Sequence, residues 1–322
     1  MSPEKENSKA HAAMAVLALL ALVSIIAFMT IGARGSWSFV FSFRGTRLAG
    51  LLIVAYAIAV STVLFQTITG NRILTPSIMG FDALYVLLQT ALVFALGATA
   101  VTGFEPRLMF VVELVVMVGF SLLLYRLLFG SGRHNIHLVV LAGIVIGGLF
   151  RSLSGFLQRI ISPDDFVVLQ DRLFASFNLT DSTLVGISAV LVALITFAIW
   201  RIFHVMDVML LGRDTAISLG VDHKAVTTII LVLVAMLISI STALVGPVTF
   251  FGLLVANLAY LVMPSAKHRY TLPAAVLIAV ICLVGGQTIL ERVFAFDAAL
   301  SIIVEFAGGL FFILFLLKGH AR

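Results

Sequence analysis

The sequence predicts an all-α polytopic membrane protein with about ten transmembrane helices, and three observations lead there. Of its 322 residues, 61% are hydrophobic and 11% are charged, against roughly 45–50% and about 25% in a soluble globular domain. Apolar stretches approaching the roughly 20 residues an α-helix needs to cross the hydrocarbon core recur along the whole chain. Most charged side chains fall in the short segments between those stretches. Helices follow from this, because lipid offers no hydrogen bonds and each spanning segment must satisfy its own backbone.

In chain order, a polar tail, residues 1–11, precedes a first uncharged stretch, 12–31. This stretch is long and no small-residue cleavage site precedes the polar segment 34–47, so it reads as a retained span rather than a leader. The stretch 48–68 follows, equally free of charge. Next come 77–101 around Asp82, 108–128 around Glu113, and 136–157 broken by Arg151. The stretches 182–200, 225–245 and 271–290 are uncharged, whereas 248–263 is short and lies between Pro247 and Pro264. The last, 298–317, contains Glu305. No boundary divides them, so residues 1–322 are expected to form one transmembrane domain.

Cys282 stands alone in an apolar stretch, which excludes a disulfide framework and a cysteine metal site. The net charge of +5 is scattered, with no basic run to suggest nucleic acid. It bears on topology instead. With an even number of spans and a cytoplasmic N-terminus, 12 of the 20 Lys and Arg residues fall inside, including every lysine. Both termini are then cytoplasmic.

The segment 210–221, Leu-Leu-Gly-Arg-Asp-Thr-Ala-Ile-Ser-Leu-Gly-Val, is a polar island that this topology places in the cytoplasm. Leu211, Thr215 and Leu219 recur at four-residue steps, so a helix here presents one narrow face. Asp214 suits the first turn of such a helix, and Gly220 suits its left-handed end. That face fits either a partner or the membrane surface. Active transport needs an energy source, and none of the five lysines sits in a phosphate-binding G-x-x-x-x-G-K-[ST] loop. The chain therefore carries no such ATP site. An ion gradient would call on carboxylates within the spans, of which Asp82, Glu113 and Glu305 are the candidates. Asp82 and Glu113 lie near helix starts, whereas Glu305 is deeper, and no His or Lys pairs with them at relay spacing. The third source is another protein, reached through the island.

The order of residues in the island, Leu211-Gly212-x-Asp214-Thr215-Ala216-x-x-Leu219-Gly220-Val221, resembles the cytoplasmic loop of permease subunits in the ATP-binding-cassette (ABC) importers of iron-siderophores, haem and vitamin B12. Arg44-Gly45-Thr46-Arg47 is similar to the family's R-x-P-R element, with Thr46 in place of proline. Gln66, Asn71, Pro76 and Gly80 fall on its Q-x-x-x-x-N-P-L-A-x-P-x-x-x-G pattern, with Arg72 where proline is common. Gly246-Pro247-x-x-Phe250-x-Gly252-Leu253-x-Val255 matches a further run, but Ala256 and Asn257 replace its Pro-His. The resemblance extends from Arg44 to Lys318, and its departures look like the branch serving catecholate-type siderophores.

The resemblance implies ten helices per subunit with short cytoplasmic coupling helices, two permeases around a central path, two ABC ATPase subunits and an external substrate-binding protein. It favours a heterodimer of permeases over a homodimer and an iron-siderophore over vitamin B12, in a bacterial cytoplasmic membrane. It implies no enzyme activity, cofactor, metal ligand or nucleic acid for this subunit. Leu211, Gly212, Asp214, Thr215, Ala216, Leu219 and Gly220 match the ATPase-coupling motif. Arg44, Arg47 and Arg292 match positions facing acidic groups of the binding protein, where charge steers docking. Gln66, Asn71, Asn135, Ile136 and His137 are pathway or gate candidates, joined by Glu305 on the strength of its depth alone. His134 and His137 otherwise read as solvated loop histidines, and Gly143, Gly147 and Gly148 as sites of close helix approach.

Overall fold

The computed structural model describes residues 3–33, 36–129, 136–177, 181–292, and 303, 304, 306, 308–310 and 313. Its ordered elements are all helical among the described residues. Seven helical stretches are long and apolar enough to cross a membrane: Asn7–Thr30, Trp37–Thr69, Pro106–Leu123, Leu138–Gln158, Ser182–Met209, His223–Val245 and His268–Arg292. They belong respectively to α1 (Pro3–Thr30), α2 (Trp37–Thr69), α5 (Pro106–Phe129), α6 (Ile136–Gln158), α8 (Ser182–Met209), α10 (His223–Val245), and the run α12 (His268–Val280) to α13 (Gly286–Arg292). A π-helical turn, Ile281–Gly285, joins the last two.

Two of the expected spans come out differently. The stretch 77–101 is divided into a 3-10 turn Pro76–Met79, α3 (Phe81–Leu96) and α4 (Ala98–Thr102). The breaks fall at Gly80 and Gly97, whose φ angles of 91° and 80° lie in the left-handed region, where a glycine pays no Cβ penalty. The stretch 248–263 condenses to the 12 residues of α11 (Phe251–Val262), about 18 Å of helix and too short to cross a core of roughly 30 Å alone. The tenth stretch, 298–317, lies mostly outside the described residues; those described within it are helical. Small residues behave as the sequence suggests at Gly143 and Gly147, where a Cβ would meet the backbone of Met79 and Gly80, but Gly148 faces open space.

α2 and α10 run through the centre against one another, flanked by α8, α11 and α12 on α2 and by α5 and α8 on α10. Leu51, Val54, Phe65, Leu237, Ile240 and Leu283 are fully or almost fully buried there. Leu19, Val115, Val145, Leu194 and Trp200 instead leave apolar faces of α1, α5, α6 and α8 open to the surroundings. An aqueous surface would pay heavily for such faces; lipid does not.

Two further helices are amphipathic connectors. α7 (Pro163–Leu173) follows the N-cap Ser162, which accepts from the Asp165 backbone N–H, with Pro163 at its first position. The Ser162 hydroxyl in turn donates to the Asp165 carboxylate, which also accepts the Ala98 N–H at 2.9 Å. Those bonds, the backbone one foremost, hold the Asp165 carboxyl below the usual range. α9 (Arg213–Ser218) is the second connector, between α8 and α10.

Side-chain bonds sort the loops into two ends. At one, His268 at the start of α12 meets both Thr67 near the end of α2 and Asp207 near the end of α8, and Arg269 meets Asn7 on α1. At the other, Arg44 near the start of α2 meets the end of α1, and Arg47 meets Glu291 on α13. The 33 residues of α2 connect the two, a distance of about 50 Å at 1.5 Å per residue.

Candidate functional site

The island folds as a compact bracket between the ends of α8 and α10. Gly212, at φ 91°, stands at the N-cap of α9 and Asp214 in its first turn. The C-terminus closes with a Schellman pair: Val221 N–H donates to Ala216 O at 3.0 Å and Gly220 N–H to Ile217 O at 2.9 Å. Gly220, at φ 83°, is the left-handed residue this motif requires. Asp222 then caps α10 through the Ala225 N–H.

The bracket has an inner and an outer surface. Ala216 is 0% exposed and seats α9 on its neighbours, while Leu211 and Leu219 are 59% and 60% exposed. Thr215, Ile217 and Leu210 are exposed beside them. The leucines therefore do not hold the loop to its own helices; that is done by Ala216. The bracket thus holds large apolar side chains outward, a surface that either a partner or the membrane can cover.

At the opposite end three arginines surround one described carboxylate. Arg44 is buried, and its guanidinium converges on the carbonyls of Phe28, Met29, Ile31 and Gly32 at 2.8–3.1 Å. Phe28 and Met29 are among the carbonyls that α1 leaves unsatisfied where it ends, and Ile31 and Gly32 follow just past that end. Arg47 pairs with Glu291, which also receives the Gln287 amide. The Arg292 Nη2 stands 3.8 Å from the same carboxylate and the side chain is partly exposed. Arg292 also covers Gly32. Arg47 and Arg292 lie against Glu291 with Arg44 close by, so among the described residues positive charge outnumbers negative there by two. Arg292 is the most accessible of the three.

Two irregular segments follow the ends of α2 and α10. The turn 70–76 is knotted from within and from α2: the Asn71 carboxamide oxygen accepts the Ile73 N–H, and the Gln66 amide of α2 donates to Arg72 O at 2.7 Å. Asn257 on α11 donates to the same carbonyl at 3.1 Å. The Arg72 guanidinium lies over the Tyr260 ring at 4.6 Å. From the other side, Thr249 in the Gly246-Pro247 segment donates to the Asp82 carboxylate at 2.8 Å. Non-helical backbone enclosed by helices is tolerated in a membrane where protein or a cavity surrounds it.

A profile of the FecCD transport family matches residues 11–318, nearly the whole chain. The chain belongs to the FecCD transport family. Among curated relatives of this FecCD protein, the petrobactin import system permease protein YclO of Bacillus subtilis (strain 168) is 44% identical over 284 residues, covering 88% of this chain and 90% of its own. The petrobactin import system permease protein FatC of Bacillus anthracis is 38% identical over 274 residues, covering 85% and 77%. A solved structure described as an inward-facing metal-chelate type ABC transporter superposes with a TM-score of 0.82 at 20% identity, covering 96% of this chain and 99% of that one.

The FecCD chain thus has its motif residues at separate stations. Leu211, Gly212, Asp214, Thr215, Ala216, Leu219 and Gly220 are all in or beside α9. Its N-cap, Gly212, contributes no side-chain bond, so Asp214 acts in the first turn rather than as the cap. Gln66 and Asn71 meet in one knot, to which the two departures Arg72 and Asn257 both contribute. Ile136 and His137 open α6, whereas Asn135 and Glu305 lie outside the described residues. Glu113, read from sequence as near a helix start, is well inside α5, buried and bonded to Gln89.

Sequence reading missed three participants. Glu291 is the counter-charge of the arginine end. Asp207 and His268 join α8 to α12, and only their polarity at the margins of apolar runs could have flagged them. The helix α7 was also missed, although Ser162-Pro163-Asp164-Asp165 is a sound start signal.

Proposed function

We propose that this chain is the transmembrane permease subunit of an ATP-driven ABC importer that carries a ferric siderophore from a substrate-binding protein into the cytoplasm. The observation that carries the reading is the bracket 210–221: Leu211 and Leu219 point outward while Ala216 anchors it. An ATPase subunit seated on that face moves α9, and α9 is continuous through short joints with α8 and α10. Family membership supports the energy source, and the two petrobactin permeases, at 44% and 38% identity, support a siderophore cargo.

In the full assembly ten spans per permease leave both termini and α9 in the cytoplasm. Two permeases, here two different chains, enclose the path. The excess positive charge at Arg292 and Arg47 orients the binding protein by charge; Arg44 contributes by fixing the end of α1 on which Arg292 rests. Gln66, Asn71 and the start of α6 at Ile136 and His137 border the inner part of the path, with Asn135 and Glu305 along it. The contrasting reading, a proton-coupled secondary transporter using Glu305 and Asp82, has less support, since Asp82 accepts from Thr249 and so anchors the Gly246-Pro247 segment.

Sealed vesicles holding the permeases, ATPase and binding protein discriminate the two. Uptake of radiolabelled ferric petrobactin is expected to require internal ATP and to continue after a protonophore collapses the proton gradient. Uptake that continues without ATP and stops with the gradient contradicts the importer reading.

A further inference from the structure

Asp207, His268 and Thr67 form a hydrogen-bonded strut at the α9 end of the bundle, with His268 and Thr67 buried and Asp207 partly exposed. The Asp207 carboxylate lies near the end of α8, three residues before Leu210. It accepts both the backbone N–H of His268, at 2.8 Å, and the imidazole Nδ1, at 2.7 Å. Because a carboxylate can only accept, Nδ1 carries a proton, and the imidazole is fixed in orientation. Its Nε2 then meets the Thr67 hydroxyl at 2.8 Å, and that hydroxyl also reaches Val63 O. The imidazole is 1% exposed.

Each joint of this strut is attached to something that matters. α8 runs directly into the bracket: Leu211 N–H bonds Val208 O and Gly212 N–H bonds Met209 O. Thr67 is the neighbour of Gln66, whose amide holds Arg72 O in the 70–76 turn. Asn257 on α11 grips the same carbonyl, and α11 packs on α12, which His268 begins. Displacement of α8 therefore has a short hydrogen-bonded route, through the buried His268 and Thr67, into the turn that closes the end of α2.

We propose that Asp207, His268 and Thr67 are positioning residues that transmit movement of the 210–221 bracket to the 70–76 turn, and so couple ATP hydrolysis to opening of the path. This rests on the permease reading above. The geometry singles out these side chains because a hydrogen-bonded imidazole between two fixed partners has one arrangement, whereas apolar contacts alone can slide. α8 and α2 also touch elsewhere, so loss of the strut is expected to loosen their coupling without separating the helices.

The test uses the complete importer in vesicles and reads ferric petrobactin transported per ATP hydrolysed. Thr67→Val keeps the shape and removes the hydroxyl; Thr67→Ser keeps the hydroxyl. His268→Asn retains a donor near the Nδ1 position but cannot reach Thr67. Thr67→Val and His268→Asn are expected to assemble, hydrolyse ATP and lower the transport ratio about tenfold, within the usual range of coupling between sites. Thr67→Ser is expected to keep the wild-type ratio. A wild-type ratio in Thr67→Val overturns the proposal even if His268→Asn fails to assemble. So does an equal loss in Thr67→Val and Thr67→Ser. Absence of ATP-driven transport by the wild-type complex would instead strike the permease reading itself.

Discussion

Replacing Leu211 and Leu219 together by aspartate is expected to release the ATPase subunit from the purified complex while the permease remains inserted in the membrane. Both side chains are largely exposed, at 59% and 60%, so neither change disturbs a core. Each leucine contributes about 1.5–3 kcal/mol when fully covered. Their combined loss, on the order of 3–6 kcal/mol, corresponds to at least about a hundredfold in affinity. The carboxylates would add a desolvation cost at the same surface. Co-purification with a tagged permease measures this directly, and membrane-fraction yield reports insertion. Retention of the ATPase at wild-type stoichiometry and salt resistance would remove the bracket from the contact.

Gly147→Val is expected to have a comparably large effect through stability alone. A Cβ at Gly147 would lie 2.9 Å from Gly80 Cα, and Gly80 itself holds φ at 91°. The obstacle is backbone on both sides, so no rotamer relieves it. Overpacking of this kind costs typically about 1–3 kcal/mol, and more where nothing can yield. Separation of α6 from the Pro76–Gly80 turn follows, with the Asp82 anchor of Thr249 carried along. Gly148→Val is the control, since a Cβ there meets nothing within 4 Å. The expected outcome is a marked fall in thermal midpoint and yield for Gly147→Val and little change for Gly148→Val. Equal behaviour of the two would contradict the packing described.

These residues also show how far the sequence carries. Apolar run length locates α1, α2, α8 and α10 well, because satisfying the backbone in lipid leaves little choice but a helix. It fails where glycine and proline interrupt the run. Gly80 and Gly97 break 77–101 internally, and hydropathy averages over such breaks. The helix ends were also placed too far inward: α8 continues to Met209 rather than stopping near Trp200, and α2 begins at Trp37 rather than Leu48. Charged residues end an uncharged stretch, whereas the helix continues through them, as α2 does at Arg44 and Arg47 and α8 at Arg201.

The local fold of 210–221 was legible because its signals are local. Gly212, Asp214 and Gly220 each have a defined place in a short helix, and they take it. The arginine cluster was legible only as charge. That Arg44 would turn inward to the end of α1, and that Glu291 would sit between Arg47 and Arg292, depends on contacts between helices far apart in sequence. The same holds for Asp207, His268 and Thr67, which no spacing rule connects.

The central claim is that the outward face of 210–221 is where an ATPase subunit delivers its work. Cys282 is the single native cysteine, so a Cys282→Ser background makes site-specific crosslinking clean. In the assembled importer, Leu219→Cys treated with a short bifunctional maleimide is expected to form a covalent adduct with a cysteine introduced on the ATPase surface. Trp37→Cys, exposed at the opposite end of α2, is expected to form none. An importer that transports normally while Leu219→Cys remains unlinked to the ATPase across a scan of its surface would contradict the account.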